Sequence, residues 1–170
     1  MSPRAAWRLE ALGFTDVYHY AAGKADWGAY GLPVEGTVTN DRRIADVART
    51  DVPTCRPGET VGQIRARSRD WGTCFVVNDD RVVLGRVMSE GLDGDPAARV
   101  EDVMREGPST FRPNVSVAQM LDYMNDNSLD TAPVTRSDGT LVGLLMREDA
   151  ERALSAAGVD RARTVERSLL

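Results

Sequence analysis

The chain has 170 residues, 42% hydrophobic and 28% charged, which is enough apolar content for a folded core and the wrong balance for a disordered or membrane protein. Its 26 acidic and 21 basic side chains leave a net charge of −5, which argues against nucleic-acid binding driven by clustered cations. One His and two well-separated Cys outline neither a zinc cluster nor a disulfide framework. No apolar run reaches the ~18 residues of a transmembrane helix, and the first residues lack a signal-peptide core, so a cytoplasmic protein without membrane contact is expected.

Read along the chain, Arg4 to Phe14 has the spacing of an amphipathic helix that stops at Gly13, and Thr15 to Tyr20 reads as a strand. Beyond residue 40 the chain repeats itself. Ile44-Ala45-Asp46-Val47 returns as Val100-Glu101-Asp102-Val103, and Thr54-Cys55-Arg56-Pro57 as Thr110-Phe111-Arg112-Pro113, at a constant spacing of 56 (Asp46 to Asp102). Further on, Val83-Leu84-Gly85-Arg86-Val87-Met88 returns as Leu141-Val142-Gly143-Leu144-Leu145-Met146 at a spacing of 58 (Gly85 to Gly143), so the second copy carries two extra residues.

Each copy predicts the same elements. A short extended segment ends at Pro57 or Pro113, and a helix follows with Thr60 or Ser116 as its N-cap. The apolar face of that helix is Val61, Ile64 and Trp71 in the first copy, and Val117, Met120, Leu121 and Met124 in the second. A β-hairpin comes next, turning at Asn78-Asp79-Asp80 or Ser137-Asp138-Gly139, and a last helix follows it. Arg65, Arg67 and Arg69 read as a solvated helix face, and Cys55 and Cys74 as small buried apolar residues.

This β-α-β-β-α order resembles the CBS (cystathionine-β-synthase-type) domain family over roughly residues 40 to 155. The carrying residues are Asp46-Val47, Thr60-Val61 and Val83-Leu84-Gly85 in the first copy. In the second they are Ala132-Pro133-Val134 and Asp138-Gly139-Thr140-Leu141-Val142-Gly143 through Asp149. The resemblance implies an α+β (α/β) fold of two repeats, 40–98 and 99–157, packed about a pseudo-twofold axis, with a tail at 158–170. It also implies a homodimer through the repeats and an unidentified protein partner. The clefts of this family take AMP, ATP, related adenosyl compounds such as S-adenosylmethionine, or nothing.

Residues 1–36 resemble something else, the C-terminal end of a rhodanese-like sulfurtransferase domain, on Arg4 to Phe14, Gly23-Lys24-Ala25-Asp26-Trp27 and Gly31-Leu32-Pro33-Val34. That family's catalytic Cys lies just before the matching helix. No Cys precedes it here, so a helix-strand-helix appendage without sulfur transfer is expected, with Trp7 and Trp27 covering its small core.

The CBS resemblance also implies where a ligand would sit. Asp149, opening the last helix, would hold a ribose diol, because an ionised carboxylate offers two acceptor oxygens. Val52, Pro53, Thr73, Cys74 and Phe75 would wall that cleft. Met146 stands where the family often has a phosphate-binding Ser or Thr, and Arg147 is its substitute. A second, weaker cleft would use Ser109, Thr131, Ala132 and Pro133, with Gly91 where the first has Asp149. No catalytic residue, metal site or required cofactor is expected. Two readings remain open: a non-catalytic regulatory module that binds an adenine-containing ligand, and a structural or partner-binding protein with degenerate clefts.

Overall fold

Two hairpins of equal length and equal irregularity form the centre of the molecule. β2 (Thr73–Val77) pairs antiparallel with β3 (Val83–Met88), and β5 (Thr131–Thr135) with β6 (Leu141–Met146). Each hairpin slips register at the same place, between Val76 and Val77 in one and between Val134 and Thr135 in the other. The computed structural model describes residues 3–18, 20, 23–30, 32 and 42–156. The predicted tail 158–170, His19 and most of 31–41 lie outside these residues.

The helices start where the caps predict. Ser116 Oγ accepts from the Gln119 amide (3.2 Å) at the head of α6 (Val117–Asp126). Gln63 accepts from the Thr60 amide (2.8 Å) at the head of α3 (Val61–Ser68). Each helix packs its apolar face on the outer side of its own hairpin, α3 through Val61 and Ile64, α6 through Val117, Met120 and Met124. Trp71 falls outside this pattern. It follows α3 in a 3₁₀ turn (Arg69–Trp71) that ends at Gly72 in the left-handed region, φ 59°.

The lead-in segments change places. Ile44, from the 3₁₀ turn Ile44–Asp46 that opens the first repeat, is fully buried among Val117, Met120 and Leu145 of the second. Val100, from α5 (Val100–Val103) that opens the second repeat, is fully buried among Ile64, Val76 and Val87 of the first. The bonds that seat them are twins. Ile44 N donates to Val115 O (2.9 Å) and Val117 N to Arg42 O (2.9 Å), while Val100 N donates to Glu59 O (3.0 Å) and Val61 N to Ala98 O (2.9 Å).

The chain after each lead-in then crosses the other repeat's sheet. β1 (Thr54–Cys55), β2, β3 and β4 (Arg105–Glu106) form one sheet in that order. In the other, single bridges at Phe111 and Arg49 stand in for the outer strands. The two hairpins meet at Val82 and Thr140, equivalent residues that bridge each other, with Val83 N bonded to Gly139 O (3.1 Å) and Leu141 N to Arg81 O (3.0 Å). The pseudo-twofold axis runs through this pair. Beside it lies a third apolar cluster of Val52, Phe75, Val77, Leu141 and Leu144, which joins the inner faces of the two hairpins. The short helix α4 (Ser89–Leu92) follows β3, and the longer α7 (147–156) follows β6.

Three sequence expectations change. Arg65 is not simply solvated: it donates to Leu92 O (2.8 Å) and Gly94 O (2.7 Å), satisfying carbonyls at the end of α4, and Arg67 pairs with Glu59. The strand expected over 15–20 is absent among the described residues, because a strand exists only by pairing and residues 14–18 join no ladder. The described appendage instead has two helices, α1 (Pro3–Ala11) and α2 (Gly23–Ala29). Tyr30, just after α2, donates to Asp138 in the second hairpin's turn (3.1 Å). Trp27 stacks edge-on to Tyr20, but Trp7 is 65% exposed and covers no core.

The crossings depend on glycine. A Cβ at Gly143 would lie 2.4 Å from the Arg49 carbonyl oxygen, and one at Gly85 would lie 2.3 Å from Met104 Sδ and 3.1 Å from Arg105 O. Backbone cannot yield as a thioether can. Gly143→Ala is therefore expected to cost about 2–3 kcal/mol and Gly85→Ala about 1 kcal/mol, read as two unequal drops in urea midpoint. Equal drops would mean that Met104 has no room to move.

Two clefts between the repeats

A β-strand sends alternate side chains to opposite faces. In β2 and β5 this puts Thr73, Phe75 and Val77, and their twins Thr131, Pro133 and Thr135, on the faces turned toward the other repeat. Cys74 and Ala132 point the other way. Both are fully buried in their own repeat's core, Cys74 with Cys55 and Ile64, Ala132 with Met120 and Leu145. These two expected lining residues therefore offer a cleft only backbone. Contact with Cys74 and burial hold the Cys55 thiol well above the usual thiol range, so it stays protonated.

Around the cleft expected at Asp149, the described apolar side chains pack against one another. Val52, Phe75 and Leu144 are packed together there, with Trp71 and Met146 at the margin. Arg49 lies over the Trp71 ring (5.9 Å) and reaches Asp149 with two bonds, Nε to Oδ2 at 2.6 Å and Nη2 to Oδ1 at 3.2 Å. Arg152 adds a third at 2.9 Å, and Glu148 takes the remaining reach of Arg49 (2.6 Å). Asp149 is 8% exposed. The Arg49 guanidinium holds its carboxyl below the ordinary carboxylate range, against the opposing effect of burial. Arg147, the expected phosphate ligand, is also engaged: it donates to Leu129 O through Nε (3.0 Å) and Nη2 (2.6 Å) and pairs with Asp130 (3.3 Å). It ties the chain after α6 to the start of α7.

The twin cleft is open. It has a volume of about 400 Å³ and takes in Met88, Ser109, Thr131 and Pro133. Size explains the difference. Phe75 is matched here by the smaller Pro133, and the place of Trp71 is taken by Leu129 and Asn127. Phe111 and Tyr123, edge to face with centroids 5.3 Å apart, supply aromatic surface.

Sequence reasoning missed the residue that gives this cleft its charge. Arg86 stands on the inner face where its twin is Leu144. Its Nε donates to Thr73 Oγ1 (2.8 Å) and its Nη2 to Thr131 Oγ1 (3.0 Å), so it spans the two equivalent threonines across the pseudo-twofold axis. It also lies over the Phe75 ring (5.3 Å). Burial first, and the charge of Arg105 second, work against its cation. A charge opposite an aliphatic in the aligned repeats was the available signal.

The fold is that of a CBS-domain pair. A CBS domain pair solved with 5-methylthioadenosine and S-adenosyl-L-methionine superposes with a TM-score of 0.58 at 14% identity, covering 69% of this chain and 98% of that one. CBSX2 in complex with AMP gives 0.57 at 18% identity, covering 67% and 97%. Residues 100–156 match the family model described as CBS domain. Inosine-5'-monophosphate dehydrogenase of Mycobacterium tuberculosis is 32% identical over 106 residues, 59% of this chain, and the chain spans a fifth of that enzyme's length. Among the described residues there is no group of three His, Cys, Asp or Glu that could hold a metal, and no helix long and apolar enough to cross a membrane.

The Arg49–Asp149 pair should show itself in the pH dependence of stability. A carboxyl whose folded pKa is depressed stabilises above its unfolded value of about 3.9, and that contribution fades as the pH falls through the folded value. Asp149→Asn is expected to be less stable than the parent by about 1–3 kcal/mol at pH 7, since it removes the more buried of the two carboxylates that Arg49 pairs with. That gap should narrow below pH ~4. A gap unchanged between pH 7 and pH 3 in urea unfolding would show that packing at Asp149, not its charge, matters.

Proposed function

We infer that the chain is a non-catalytic regulatory module whose inter-repeat cleft takes an adenine-containing small ligand. The observation that carries this reading is the open cleft at Met88, Ser109 and Thr131, with its aromatic pair Phe111 and Tyr123. A flat base suits such a wall, and the backbone of β5 beside it can read a base edge. The cleft has both repeats as its walls. A ligand that binds one tilt of the repeats better than another shifts the molecule toward it, and a partner can read that shift. Similar CBS pairs solved with AMP and with adenosyl compounds support the ligand class. A homodimer is part of the same reading.

The alternative is a structural or partner-binding module with dead clefts. One observation favours it: the Asp149 carboxylate is already occupied by Arg49 and Arg152. A nucleoside diol there would have to displace a buried two-point ion pair.

Thermal unfolding with AMP, ADP, ATP, NAD and S-adenosylmethionine separates the two readings. A ligand at 100 times its Kd adds about 2.7 kcal/mol, several degrees for a chain of this size. A rise with one or more of these compounds, retained in Asp149→Ala, is the expected result. No rise with any of them would favour the partner-binding reading.

A further inference from the structure

Arg86 bridges Thr73 and Thr131 and lies over the Phe75 ring, yet among the described residues no carboxylate offsets the burial of its charge. Its twin position holds Leu144, which is fully buried and packs with Phe75 and Val52. A guanidinium at such a place normally has a carboxylate, because the charge loses water on burial and needs a counterion to compensate. Arg86 makes no ion pair among the described residues, and its two hydrogen bonds go to neutral hydroxyls. Thr73 does not depend on it, since that hydroxyl donates separately to Val87 O (2.9 Å). Of the five N–H donors of a guanidinium, those on Nη1 have no partner among the described residues.

The surroundings add to the excess charge. Arg105, on β4 beside β3, lines the same cleft and is paired only at the surface, with Glu90 (3.2 Å), where both side chains are mostly exposed. The twin arrangement makes the gap plain. Arg49 is the counterpart of Arg105, and Glu148 that of Glu90. Arg49 has a second carboxylate, Asp149, whereas the place of Asp149 near Arg105 is held by Gly91. Among the described residues, no acidic side chain lines the open cleft. Ser109, Thr131 and Asn127 add neutral polar groups around it.

Resting on the reading of this cleft as the ligand site, we propose that it is an anion site in which Arg86, supported by Arg105, supplies the missing counter-charge to a phosphorylated small molecule. Recognition is carried by the phosphate and an apolar ring, with no carboxylate to hold a ribose. The ligand class is thus an organic phosphate or polyphosphate. Uncharged nucleosides lack the group that Arg86 needs, and sulfonium compounds would set a cation against two arginines. A planar fork of donors suits a phosphate by two parallel bonds.

The test is thermal unfolding and equilibrium titration of the full chain at constant ionic strength. The probes are AMP, ATP and inorganic pyrophosphate against adenosine and S-adenosylmethionine, on the parent and on Arg86→Met, Arg105→Gln and Asp149→Asn. The expected result is binding of one or more phosphate probes only, at least about tenfold weaker in Arg86→Met and several-fold weaker in Arg105→Gln, and unchanged in Asp149→Asn. Arg86→Met without ligand should unfold at the same temperature as the parent or higher, since it removes an uncompensated charge. If that variant does not fold, Arg105→Gln, at the surface, carries the test. Pyrophosphate binding with no response to any adenosine compound would uphold the anion site and sink the adenine reading. S-Adenosylmethionine or adenosine binding as well as AMP, with Arg86→Met unaffected, would overturn the anion site and leave the adenine reading standing. No response to any phosphate probe would also overturn it.

Discussion

Everything in this molecule depends on an exchange: Ile44 completes the core of the second repeat, and Val100 completes the core of the first. Neither repeat can close its own interior, because the residue that would do so is bonded into the other. The chain after each lead-in must then pass over the other repeat's sheet, so glycine is needed at Gly143, against backbone, and favoured at Gly85, against the Met104 side chain. The sheets are held face to face by that crossing and by the Val82–Thr140 bridge. Two clefts between them follow from the symmetry. One interior cannot loosen without the other, so the pair should unfold as a unit.

Within that frame the two halves have diverged by side-chain size and charge. Phe75 and Trp71 fill one cleft, while Pro133 and Leu129 leave the other open. Among the described residues, Arg49 finds two carboxylates, Arg105 finds one, at the surface, and Arg86 finds none. The closed side adds packing and a partly buried ion pair. The open side holds two arginines, Arg86 and Arg105, with a single carboxylate between them among the described residues.

Much of the fold was legible from residues alone. The spacing of the repeat located both hairpins, and Thr60 and Ser116 marked the helix starts. The exchange of lead-ins was not legible, since alignment shows that Ile44 and Val100 correspond but not which core each enters. Nor was the fate of Asp149, because a carboxylate at a helix start reads the same whether free or tied to an arginine 100 residues earlier in the chain. The alternation of Thr15 to Tyr20 failed for a related reason: a strand pattern states a preference, and only a partner can satisfy it. Cys74 and Ala132 were expected in the cleft walls, but the alternation along β2 and β5 turns both side chains into the cores.

The difference in spacing between the copies, 56 before the hairpins and 58 within them, lies between the start of the repeat's main helix and the strand after it. In the first copy the shorter connection ends α3 at Ser68 and turns Trp71 toward the third cluster. In the second, α6 runs to Asp126 and the chain reaches β5 with Asn127 and Leu129 at the cleft instead. A duplicated gene begins with two equal cavities. Here a two-residue difference in length, together with Phe75 where the other copy has Pro133, accompanies a wedge that holds the halves together on one side.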